Sequence, residues 1–154
     1  MKHFNRGISK YANSLHTQLR LGRSFLSAHG FAIGIYNSDL CICSRPETTR
    51  HFFTCFLYQE EQRLLHENMS KVIPKFSTYS LKHQIEIFMN GISSDPDPRN
   101  ISIVFAVQTY ILQTKRFNQP PPLISKNVVT GFECIGLHWI CNKYFQPPGT
   151  QEVL

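Results

Sequence analysis

The chain has 154 residues, of which 42% are hydrophobic and only 17% charged, with twelve phenylalanines and a formal net charge of +6. That length suits one ordinary domain but hardly two, and the hydrophobic share supports a modest core. The charge is uneven: Lys2, Arg6, Lys10, Arg20 and Arg23 precede the first acid, Asp39, so the first quarter is suited to phosphate. The alternative reading of that quarter is a solvated helix face.

In chain order, "ISKYANSLHTQLRL" places Ile8, Tyr11, Leu15 and Leu19 at helical spacing, and Gly22 closes the helix. "SFLSAHGFAIG" reads as a short helical turn bounded by Gly30 and Gly34, and "YNSDL" as a turn leading into Cys41. A further helix starts at Thr48 or Thr49, with room for a break near Cys55, and runs on through "FLYQEEQRLLHENM". "YSLKHQIEIFMNG" puts Leu81, Ile85, Phe88 and Met89 on one stripe, with Ser80 as N-cap and Gly91 as C-cap residue. "SSDPDPRN" is a loop, because its prolines bar a helix interior. The last helix, residues 100–116, has Asn100 as a cap and Lys115 and Arg116 in its final turn, where cations suit the dipole. Residues 119–154 hold five of the nine prolines and no long periodic segment, so they read as a poorly ordered tail after a helical domain of residues 1–118.

The N-terminus lacks the apolar core of a secretory signal, and "VVTGFECIGLHWIC" is too short and too polar to span a bilayer. An intracellular location is therefore expected, in nucleus or cytoplasm, with no membrane partner. In that setting cysteines serve as thiols or metal ligands rather than disulfides.

"CICSRPETTRHFFTC" gathers three of the five cysteines and one histidine. Three thiolates and one imidazole are a common structural set for zinc. On a helix His51 and Cys55 would be i and i+4 and point the same way. Cys41 and Cys43, in extended chain, would share a face, although one intervening residue is tighter than the usual two to four. The competing reading is small buried hydrophobes beside Phe52, Phe53 and Phe56. Cys41, Cys43, His51 and Cys55 are the expected ligands of a structural zinc ion, with every position filled by protein and none left for substrate. The expected fold is mainly α, a small helical domain organised around this Cys-Cys-His-Cys knuckle. Cys134, His138 and Cys141 form a weaker second group with no clear fourth ligand. A Cys–His nucleophilic pair lacks an orienting acid and an oxyanion donor, so no enzyme and no small-molecule substrate are expected.

Several residues in order, Arg20 to Arg23, Cys41 and Cys43, Glu47-Thr48, His51-Phe52-Phe53, Cys55, and Tyr58 to Arg63, form a longer pattern. Over residues 15–65 it resembles the zinc-binding region that follows the polymerase domain in reverse transcriptases of non-LTR retrotransposons. The chain has one residue in the first cysteine pair and three between His51 and Cys55, where that family often has two and four. The resemblance implies a zinc module that holds RNA or DNA with weak sequence specificity. The polymerase itself is not expected, because no Tyr-x-Asp-Asp or Ala-x-Asp-Asp stretch supplies a two-metal carboxylate site. Some of these elements carry a nuclease after the zinc region, which draws notice to Asp95 and Asp97. Such chemistry needs further acids and a lysine at defined spacing, and the next acid after Asp97 is Glu133, so the segment reads as a Pro-Asp loop. Lys2, Arg6, Lys10, Arg20 and Arg23 remain the expected nucleic-acid contacts, with Tyr11 and Phe25 assigned to the core.

Overall fold

The structure, a computed structural model, describes residues 7–92 and 97–118, all within a unit spanning Met1–Ile124. It is mainly helical, and no β-strand occurs among the described residues. The expected tail at 119–154, and with it Cys134, His138 and Cys141, lies outside the described residues.

Helix α1 spans Lys10–Arg20, with the Ser9 hydroxyl accepting from the Ala12 N–H. It ends where predicted: Gly22, at φ +65°, lets the Arg23 and Gly22 N–H groups reach the Gln18 and Leu19 carbonyls. Its buried face is Ala12, Leu15, His16 and Leu19, so the stripe is turned from the expected one and Tyr11 faces outward. Helix α2, Ser27–Ala32, runs through Gly30 rather than stopping there. The Tyr36 ring packs so close that a Cβ on Gly30 would lie 2.0 Å from it. Helices α3, Thr49–Phe52, and α4, Gln59–Val72, are separated by a break and a 3-10 turn at Phe56–Tyr58.

Helix α5, Leu81–Asn90, has the expected Ser80 cap, and Gly91 at φ +72° follows it. Its core face is Gln84, Ile87, Phe88 and Met89, while Leu81 is exposed and Ile85 half-buried. A hydrogen-bonding side chain has displaced an apolar one: the Gln84 amide donates to the carbonyls of Phe76 and Tyr79 at 3.3 and 3.0 Å.

Helix α6, Arg99–Gln113, begins one residue before Asn100. Asn100 is therefore no cap. Its amide instead brackets the Ile92 backbone, accepting from the N–H at 2.7 Å and donating to the carbonyl at 3.2 Å. The Asp97 carboxylate accepts from the Arg99 N–H at 2.9 Å and pairs with its guanidinium at 2.5 Å. That engagement suits a helix start, and Asp95 lies outside the described residues. The helix stops at Gln113, so Lys115 and Arg116 lie beyond it, and Arg116 is buried rather than facing the dipole from solvent.

α6 is the central element, packing most extensively on α4 and also on α1 and α5. Around it the aromatic residues form one cluster: Phe53 stacks on Tyr110 with centroids 5.2 Å apart, and Phe52 meets Tyr110, Tyr58 and Phe117 edge-on. The Tyr110 hydroxyl donates to the Phe52 carbonyl at 2.6 Å, which satisfies a carbonyl at the end of α3 from the last turn of α6. Two buried polar groups tie α1 down. His16 Nε2 lies 2.8 Å from the Phe88 carbonyl, and Gln108 accepts from the Ile8 N–H while donating to Asn13 Oδ1. Burial lowers the pKa of His16 to about 4, so at neutral pH the ring is uncharged and its Nε2–H is the donor.

Candidate metal centre

The segment that leads to the ligands is folded by its own backbone. The Cys41 N–H donates to the Arg45 carbonyl and the Ser44 N–H to the Cys41 carbonyl, both at 2.8 Å, with Leu40 and Pro46 bridged outside them. Ser44 takes a left-handed conformation, φ +65°. Cys41 and Cys43 thus sit on a tight turn, not on extended chain as expected. The turn also explains how a single intervening residue suffices, because the reversal brings the two sulfurs toward one point.

His51 and Cys55 reach the same point across the break for which the sequence left room, not as i and i+4 of one helix. The Thr48 hydroxyl accepts from the His51 N–H at 3.1 Å and caps α3, which ends at Phe52. Cys55 follows in extended conformation, and its carbonyl accepts from the Tyr58 N–H and from the Gln62 amide. Phe52 and Phe53, between the two ligands, are buried in the aromatic cluster and anchor both flanks.

The ligand atoms of Cys41, Cys43, His51 and Cys55 all lie within 4.8 Å of one another. A tetrahedral ion of zinc's size would hold two sulfurs about 3.8 Å apart and a sulfur and a nitrogen about 3.6 Å apart. Cys41 and Cys55 Sγ are 3.9 Å apart. Cys43 Sγ and His51 Nε2, at 3.1 Å, are hydrogen-bonded to each other and need to part slightly. The widest pair exceeds the tetrahedral edge by about 1 Å at most, a gap that side-chain rotation within one staggered well closes. The four residues can hold a metal ion, and the set of three sulfurs and one nitrogen suits a soft or borderline cation.

A second feature fits the same use. The Cys41 sulfur faces the backbone N–H of Cys43, the Cys43 sulfur that of Arg45, and the Cys55 sulfur that of Leu57. Each cysteine therefore has the amide two residues ahead aimed at its sulfur, an arrangement that favours thiolate over thiol. In the bare cluster, burial still pushes the Cys41 thiol up to about 12 and raises that of Cys55. For Cys43, burial is outweighed by the Arg45 amide and the neighbouring thiols, and its pKa is lowered. A divalent cation at the centre would hold all three as thiolates.

Glu47, which the sequence reading named only as part of the pattern and gave no role, is 1% exposed. Its carboxylate accepts from the Ser27 N–H and hydroxyl, both at 2.7 Å, and pairs with the Arg116 guanidinium through Nε and, at 2.5 Å, Nη2. Burial would raise its pKa, but the Arg116 and Ser27 hydrogen bonds prevail and lower it. Glu47 lies four residues after Cys43 and four before His51, so this pair fastens the ligand loop to α2 and to the 3-10 turn Arg116–Asn118. The Glu-Thr pair of the sequence pattern thus has two local roles, Glu47 anchoring the loop and Thr48 capping the helix of His51.

Among the expected nucleic-acid contacts, Lys10 and Arg23 are exposed, and Lys2 and Arg6 lie outside the described residues. Arg20 is half-buried close to His16, and burial lowers its pKa. Tyr11 and Phe25 are 37% and 40% exposed, so both leave the core to which they were assigned, each within two residues in sequence of Lys10 or Arg23. Among the described residues, no helix is long and apolar enough to cross a membrane. Compared with protein-family models, curated proteins and solved structures, the chain matches none.

Proposed function

We propose that this chain is a nucleic-acid-binding module organised by one structural zinc ion, of the kind that follows the polymerase domain in non-LTR retrotransposon reverse transcriptases. The observation that carries the reading is the convergence of Cys41, Cys43, His51 and Cys55, with backbone amides aimed at all three sulfurs. Zinc there would lock the Cys41–Arg45 turn to α3 and, with four protein ligands, would leave no open position for catalysis. RNA or DNA would be held through phosphates by Lys10 and Arg23, with Tyr11 and Phe25 interleaved, and by Lys2 and Arg6 of the same segment.

The test has two parts. Purified full-length chain is expected to carry one zinc per molecule, and Cys43→Ser to lose it together with helical circular dichroism. Binding to a labelled oligonucleotide should then weaken steeply as salt rises. A folded wild type without zinc, or an affinity indifferent to salt, defeats the reading.

A helical protein-interaction fragment is the second reading, favoured by Leu21, Phe31 and Ile33, which are exposed on one short stretch of chain. A zinc-loaded, cooperatively folding chain that ignores nucleic acid would select it. Little helix with or without zinc would instead mark the chain as a non-functional remnant.

A further inference from the structure

The residues that flank the ligands have a composition that metal binding does not require. Ile42, between the first two cysteines, is 77% exposed, and Phe56, next to Cys55, is 55% exposed. Core packing at this site is already supplied by Phe52 and Phe53, so neither residue is needed there. Arg45 and Arg50 are exposed in the same loop, each within two residues of a ligand, and neither is in an ion pair among the described residues. The one acid between Leu40 and Tyr58 is Glu47, which is buried and neutralised by Arg116.

These four exposed residues lie near one another, because each is within two residues of a side chain of the converging group. With Cys41 and Cys55 Sγ 3.9 Å apart, chain geometry keeps the Ile42 and Phe56 Cα atoms within roughly 17 Å. Three thiolates around a divalent ion leave the cluster with one negative charge, so the two arginines keep the face positive. An exposed aromatic ring among cations is how bases are stacked and phosphates paired on a single strand. Duplex is a poor fit, because its bases are already stacked. α3, the helix of this loop, has four residues and a length of about 6 Å, too short to follow a major groove.

We propose that Ile42, Arg45, Arg50 and Phe56 form a binding face for single-stranded nucleic acid, with Phe56 stacking on a base and the two guanidiniums on flanking phosphates. This rests on the nucleic-acid reading above and adds to it a second face and the form of strand it takes. Bases and phosphates are common to RNA and DNA, so the experiment carries both.

The experiment is fluorescence anisotropy of the zinc-loaded full chain with a labelled oligothymidylate, an oligouridylate of the same length, and a duplex. At least one single strand should bind more tightly than the duplex. Phe56→Ala should weaken that binding about fivefold or more, and Phe56→Tyr, which keeps the ring, should restore it. Arg45→Ala with Arg50→Ala should lower the slope of log affinity against log salt by about 1.4, the share of two phosphates on a single strand. Zinc content and circular dichroism of each variant establish that the fold is kept, and the exposed arginine pair serves should Phe56→Ala unfold. If Lys10→Ala with Arg23→Ala abolishes binding while the loop variants match wild type, this face is refuted and the nucleic-acid reading stands. If the duplex binds as well as either strand and Phe56→Ala is silent, the single-strand assignment falls. Binding of none of the three probes overturns both.

Discussion

Replacing Glu47 by Gln tests how the ligand loop is held. The Glu47 and Arg116 side chains are 2% and 10% exposed, so the pair is almost wholly desolvated. Glu47→Gln keeps the volume and an acceptor for Ser27 but leaves a buried guanidinium with no counter-charge, at a cost of about 3–5 kcal/mol. For a chain of this size that corresponds to a fall in Tm of roughly 10 °C. Arg116→Met strands the carboxylate instead, cushioned by the two Ser27 hydrogen bonds, so its loss should fall toward the lower end. The assay is urea unfolding of the zinc-loaded full chain, followed by far-ultraviolet circular dichroism, for both single variants and the double. The double should lose clearly less than the sum, because removing the second charge relieves the burial left by the first. Glu47→Gln should also release zinc more readily to a chelator, since Cys43 and His51 flank it. Single variants within about 1 kcal/mol of wild type would match a solvated surface pair and refute the anchoring role.

Three further outcomes are expected. Thr48→Ala removes the cap of α3 and should cost about 1 kcal/mol in urea unfolding while weakening zinc retention, as the His51 N–H loses its partner. Below pH 6.5 the unfolded chain protonates His16, whereas the fold excludes that proton until about pH 4, so stability should decline across this window. The share due to His16, about 3 kcal/mol over the full window, should vanish in His16→Gln when unfolding is repeated at several pH values. Gly30→Ala drives a methyl into the Tyr36 ring and should destabilise by about 1–3 kcal/mol; an unchanged midpoint would mean that the ring moves aside freely.

Features settled within a few residues could be read from the sequence. The four candidate ligands stand out because their residue types and spacing are local, and each is held by local bonds: the turn around Ser44, the Thr48 cap, the amide two residues past each of the three cysteines. Ser80 before α5 and Gly22 after α1 were legible for the same reason. Local conformation was nevertheless misjudged where two solutions deliver the same side chains. A tight turn replaced extended chain at Cys41 and Cys43, and α3 stops at Phe52, so His51 and Cys55 do not share one helix face.

Tertiary structure alone decided which face of each helix is buried and which charges are paired. Periodicity marks an apolar stripe, but the true core face of α5 is turned because the Gln84 amide donates to the Phe76 and Tyr79 carbonyls. The outward turn of Tyr11 follows likewise from α1 being pinned by His16 to Phe88. Glu47 and Arg116 are 69 residues apart, and each alone reads as a surface charge. Their burial becomes favourable only when α2, the ligand loop and the start of the 3-10 turn Arg116–Asn118 close around them together, because either charge alone would not offset its desolvation.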